Sequence, residues 1–245
     1  MTAKQWKSFC VFRDDFRSAV ENWSNQYGER LIPLQKTVCA EQNYPVENPI
    51  VYNTALDVVS ESDEIKIIVI GDNPGKNEQL SANKKYLIGQ SGKIAENFFK
   101  RETSLTIDFR KNALILNKTP VHSAKTVQLK EIAKMDEKAA EIIRESQIFM
   151  AEKTAAILLS LADSGAELWL TGYSELKVRG IFAPYRERLF DCLSGTKAWE
   201  NVRVYQHFSM NRFLVDLKNC GFEDFPLKER LKILGNKHKN EIFSI

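Results

Sequence analysis

The chain has little of what builds metal and redox centres. Its four cysteines, Cys10, Cys39, Cys192 and Cys220, form no Cys-x-x-Cys pair, and its three histidines, His122, His207 and His238, are scattered. Zinc-ribbon and iron–sulfur spacings are therefore missing, so no metal, cluster or other cofactor is expected and the cysteines read as buried, reduced thiols. No run approaches the ~20 apolar residues that a membrane helix needs. The start, Met1-Thr2-Ala3-Lys4-Gln5-Trp6, has no apolar secretory segment. A cytoplasmic location and no membrane partner are the expectation. Internal repeats and low-complexity linkers are also lacking.

A phosphate-cradling P-loop is missing too. Gly71-Asp-Asn-Pro-Gly75-Lys76-Asn77 is one residue short between its glycines and has Asn where Ser or Thr should ligate magnesium. Gly89-Gln-Ser-Gly92-Lys93-Ile94 lacks the first glycine and ends in Ile.

What is present is enough for a substantial core, with 43% hydrophobic residues in a chain of 245. Trp6, Phe9, Cys10, Phe16, Val20, Trp23 and Tyr27 recur at helical spacing, which predicts an amphipathic helix. Residues 1–40 are read as a helical extension packed on a domain spanning 41–245. Pro33, Pro45 and Pro49 mark 32–64 as an irregular acidic lead-in. Strands are then predicted at Ile65–Ile70, Ala113–Asn117, Glu167–Thr171 and Val202–Tyr205. Helices are expected from near Ser91, over about Leu129 to Asp163, around Phe190 and Leu193, and from Asn211 onward. Alternating strands and helices predict an α/β class: a three-layer α/β/α sandwich around a mostly parallel four-stranded sheet.

Parallel strands line up their C-terminal ends along one edge, where open α/β sheets bind ligands. That edge should carry Asp72 and Asn73 on a stiff Gly-Pro turn, then Asn117, Thr171 with Gly172, and His207 with Ser209. The set suits reading a polar planar ligand and orienting a water. Gly89-Gln-Ser-Gly92 opening a helix could present N–H groups to an anion or simply start the helix with Ser91 as N-cap. Net charge is only +3, but residues 84–134 carry eleven Lys/Arg against four acids, and Lys228–Lys239 adds a second basic segment. Such segments suit a polyanion such as DNA or RNA, or ordinary solvated faces.

Four of these segments resemble motifs of the uracil-DNA glycosylase superfamily. Gly71-Asp-Asn-Pro-Gly75, with Glu78 following, is similar to the Gly-x-Asn-Pro-Gly form of mismatch-specific and single-strand-selective enzymes. The iron–sulfur class has Gly-Glu-Ala-Pro-Gly-x-x-Glu there. Tyr86-Leu-Ile-Gly89-Gln-Ser-Gly92-Lys93 resembles the Pro-Phe-Val-Gly-Arg-Ala-Gly-Lys segment of that class. Leu114-Ile-Leu-Asn117 looks like the strand whose terminal Asn reads the uracil edge, and His207-Phe-Ser209-Met-Asn211 resembles the His-Pro-Ser motif. The resemblance spans about residues 65–220 and mixes two subclasses. It departs where Phe replaces the motif proline, where Leu87 replaces the stacking aromatic (with Tyr86 beside it), and where Thr119 stands near a cluster cysteine position.

The resemblance implies a monofunctional N-glycosylase of base-excision repair that flips uracil or a related damaged base out of DNA and hydrolyses its glycosidic bond. Asn73 would position water, Asp72 would polarise it and His207 would donate to uracil O2. Asn117 would read the base, with Gly71, Gly75, Tyr86, Leu87 and Ser209 completing the substrate site. Gly89, Ser91, Gly92, Lys93, Met210 and Arg212 would contact DNA, one of Met210, Arg212 or Phe213 filling the gap left by the base. A monomer is expected. Two alternatives stay open: an inactive homologue that binds nucleic acid or nucleobase, and a nucleotide-processing small-molecule enzyme.

Overall fold

The computed structural model describes residues 1–244. Its centre is a sheet of four short strands, β1 (Ile67–Gly71), β2 (Ala113–Asn117), β3 (Glu167–Thr171) and β4 (Val202–Tyr205), all parallel in the order β2-β1-β3-β4. Each strand is an almost wholly buried apolar run, as expected of a sheet covered on both faces. The architecture is the three-layer α/β/α sandwich. Registers Gly71↔Asn117 and Thr171↔Tyr205 bring the last residues of the strands to one level.

One helical layer comprises α1 (Ala3–Val38), α3 (Thr126–Met135), α4 (Glu137–Ser160) and α5 (Ala183–Leu193), with α4 touching the other three. The opposite layer holds α2 (Gln90–Arg101), α6 (Arg212–Lys218) and α7 (Leu227–Phe243). Beneath α2 and α6 the sheet carries an aromatic cluster. Trp169 lies with its ring 4.7 Å from Tyr205 and 5.3 Å from Phe99, and Phe213 is 5.0 Å from Phe98. Burying such rings supplies ~1.5–3 kcal/mol each.

Three boundaries differ from the sequence reading. The first helix continues through Pro33 to Val38, because Leu31 and Gln35 on its buried face hold it to the core. The Gln35 amide donates to the carbonyls of Pro49 and His122, each at 2.9 Å. The long helix expected over Leu129–Asp163 breaks at Asp136. There an extended backbone lets the carboxylate accept the Ala139 N–H at 2.8 Å as N-cap of α4, while Arg30 pairs with its other oxygen at 2.7 Å. Helix α2 is capped by Gly89 rather than Ser91, with no side-chain cap.

Candidate functional site

The strand ends open onto a cavity of about 460 Å³. Asp72, Asn73, Asn117 and His207 all line it, together with Gly75, Leu87, Ser91, Ser209, Met210 and Arg212. Four segments distant in sequence thus meet at one rim, because the parallel registers bring their strand ends level.

Asp72 is held by a residue that the strand-end reading passed over. Lys118, immediately after Asn117, is fully buried, and its Nζ donates to Asp72 Oδ1 at 2.6 Å, Thr171 O at 2.6 Å and Gly71 O at 3.2 Å. Three donors meet three acceptors, so the ammonium staples the ends of β1 and β3 and has no lone pair to offer a substrate. Thr126 donates to the second carboxylate oxygen, Oδ2, at 3.1 Å. Burial is the largest single influence and would raise the Asp72 carboxyl, but the Lys118 charge, the nearby His207 and the hydrogen bonds from Lys118 and Thr126 together outweigh it and keep Asp72 below the usual range. Gly172, at φ +86°, is required beside this pair, since a Cβ there would stand 2.2 Å from Asp72 Oδ1.

Asn73 spends its amide hydrogens on Ser123, whose carbonyl and hydroxyl oxygens each accept at 3.0 Å. Only the nitrogen can face those acceptors, which leaves Oδ1 as the group able to accept from a water. Asn117 is 1% exposed and its Nδ2 is buried with no hydrogen-bond partner. An orphaned buried amide donor costs about 1–3 kcal/mol unless a ligand satisfies it. Gly71 makes room for this side chain, because a Cβ there would lie 2.4 Å from Asn117 Oδ1.

His207 follows β4 and accepts the Ser209 backbone N–H at Nδ1, 3.1 Å away. The neutral ring therefore carries its proton on Nε2. Desolvation pulls its pKa below the ordinary value, further helped by Lys118 and Arg212 and opposed by Asp72. The loop's missing proline is replaced by packing: Phe208 is fully buried, 4.9 Å from the ring of Phe213. Beyond it Met210 and Asn211 both take left-handed backbones, φ 55° and 58°. This strained loop holds Met210 78% exposed at the cavity rim. Phe213, considered as a gap-filling wedge, lies in the aromatic core and is not available for that role.

Two other expectations are not met by the geometry. Tyr86 points away from the cavity, 1% exposed, its hydroxyl donating to Val51 O at 2.5 Å. Leu87, in a left-handed backbone at φ 51°, faces the cavity in its place, so no Phe, Tyr or Trp lines it. Lys93 faces a neighbouring cleft rather than this cavity. The backbones of Gly89 and Gly92 form the start of α2, and Gly92 is required because a Cβ would overlap Leu87 O at 1.5 Å. Ser123, Thr126, Ser174, Glu175 and Gln206 also line the cavity and had no sequence signal.

Glu78 joins the two loops that form the cavity wall. Its buried carboxyl accepts the Gly75 N–H at 3.2 Å and sits against the amides of Leu87, Ile88 and Gly89. Burial pushes it up to about 7 despite those amides. A carboxyl raised on folding gives stability that is full below its unfolded pKa and lost as pH rises through its folded one. Relative to Glu78→Gln, the wild-type protein should therefore lose stability between about pH 5 and pH 8 in denaturant titrations. A pH-independent difference would contradict the assignment.

No family model, curated protein or solved structure matches the chain. No helix among the described residues is long and apolar enough to cross a membrane.

Proposed function

We propose that the protein is a DNA glycosylase that extrudes uracil, or a closely related base, and hydrolyses its N-glycosidic bond. The observation that carries this reading is the orphaned Asn117 amide in the same cavity as a histidine whose proton is directed to Nε2. Two hydrogen-bond donors lining one cavity, from the ends of β2 and β4, suit the two carbonyl oxygens of a pyrimidine-dione. Asn117 Nδ2 donates to O4 while its Oδ1 accepts N3–H; cytosine offers the reverse pattern and leaves buried groups unpaired.

In the reaction the C1′–N1 bond breaks first. Its electron pair goes to the base, whose O2 gathers negative charge, and the sugar becomes oxocarbenium-like. His207 Nε2–H stabilises that anion as an oxyanion-hole donor. The Asp72 carboxylate, fixed as an anion by Lys118, lies at the same strand-end rim and favours the cationic sugar. Water held by Asn73 Oδ1 then adds to C1′ and loses its proton to bulk solvent or to the departing base.

The test is incubation with a uracil-containing oligonucleotide followed by alkaline cleavage of abasic sites. Strand scission is expected, and Asn73→Ala and Asn117→Ala should each slow it by at least about tenfold. A second reading, a base-binding module without turnover, is favoured by one observation: both Asp72 oxygens are already engaged, by Lys118 and Thr126. It predicts that the oligonucleotide binds, with uracil preference abolished by Asn117→Ala, but that no scission follows.

A further inference from the structure

A cleft larger than the strand-end cavity, about 670 Å³, lies next to it beside edge strand β2. The segment 86–93 is the ridge between them. Leu87 and Ser91 face the cavity, while Tyr86, Ile88 and Lys93 face the cleft. Arg110 pins this ridge, donating to Leu87 O and to Glu96, each at 2.9 Å. The far wall comes from 55–59, where Leu56 and Val59 give an apolar floor and Val58 stands 77% exposed. Lys85, Lys93 and Lys111 surround that floor, all solvent-exposed and none in an ion pair among the described residues. The acids at the cleft are Asp63 and Glu96, the latter paired with Arg110.

An apolar floor ringed by unpaired lysines is chemically matched to a single nucleic-acid strand. Its phosphates satisfy the ammonium groups, and its unpaired bases cover Val58 and Val59 above the buried Leu56. A duplex would present only phosphate to that floor. An acidic peptide would satisfy the lysines but not the adjacency to a base-sized cavity. Building on the function proposed above, we infer that this cleft is a second substrate subsite. It receives the single-stranded continuation of the strand whose base enters the strand-end cavity, the chain crossing the 86–93 ridge.

The test compares the wild-type protein with Lys85→Glu/Lys93→Glu/Lys111→Glu, three exposed positions whose replacement leaves the core intact. Binding is read by fluorescence anisotropy with two uracil-containing probes: a trinucleotide that fills the cavity alone, and a strand of about a dozen nucleotides. The triple variant should bind the long strand at least tenfold more weakly, and its log K against log salt slope should shrink by about 2, the value for three phosphates on a single strand. Trinucleotide binding should stay within about twofold.

Equal binding of the long strand by both proteins overturns the inference. So does an equal loss with the trinucleotide, or displacement of the long strand by poly-glutamate as readily as by a second oligonucleotide. Lysine-dependent strand binding without any base release leaves the subsite standing and rejects the glycosylase reading. Base release with unchanged long-strand binding does the opposite.

Discussion

Lys118→Met is expected to destabilise the protein by about 3–5 kcal/mol, because it strands a buried carboxylate without its counter-charge. Lys118 is fully buried, and its ammonium serves Asp72, Gly71 O and Thr171 O together. Its removal takes a donor from the Asp72 carboxylate and from Thr171 O, while Gly71 O keeps the backbone N–H of residue 118. Melting temperature should fall on the order of 10 °C for a chain of this size. The double variant Lys118→Met/Asp72→Asn removes both charges while keeping side-chain volume, and should recover most of the loss. Chemical denaturation of both variants checks this. A Lys118→Met protein as stable as wild type, or a double variant no better than the single, would refute a role for the ion pair in holding the strand ends.

The same residue shows where sequence legibility stopped. The strands were readable because each is a short apolar run closed by a polar residue or glycine, and their ends gave Asp72, Asn73, Asn117 and His207. Lys118 stood next to Asn117 and looked like one more basic residue in a basic segment. Its burial depends on acceptors from positions 71, 72 and 171, which no local pattern links. Leu87 faces the cavity at the stacking position the motif gives it, while Tyr86 turns away, for a comparable reason. A left-handed backbone at Leu87 is unfavourable for a branched side chain, and it persists here where Gly92 lets the 87 carbonyl lie against α2.

Helix continuity failed at Asp136 because a capping carboxylate competes with the helix it interrupts. Pro33, by contrast, was overridden by the tertiary hold on Gln35. Phe208 stands where the resembled His-Pro-Ser motif has its proline. In the fold it anchors the loop in the aromatic core, and that anchorage holds His207 at the cavity.

His207→Leu is expected to slow base release by about 10²–10³-fold, the effect of deleting one preorganised donor from a developing anion. Single-turnover rates with the uracil oligonucleotide measure this directly, and binding should change far less than rate, since the charge on O2 exists only as the bond breaks. His207→Gln keeps an N–H donor of similar reach and should recover part of the loss.

The acid side of the pH–rate profile follows from the same geometry. Protonation would put a second hydrogen on Nδ1, against the Ser209 N–H that it now accepts. Burial, with Lys118 and Arg212 nearby, already holds the ring's pKa below its ordinary value of 6.5. The wild-type rate should therefore stay level through neutral pH and fall only below that ordinary value. Stability moves in the same direction: a histidine depressed on folding contributes fully above its unfolded pKa and loses that contribution as pH drops toward its folded one. A rate that rises as His207 gains its proton would instead make the imidazolium the working form, and would overturn the role of Nε2–H as a neutral donor.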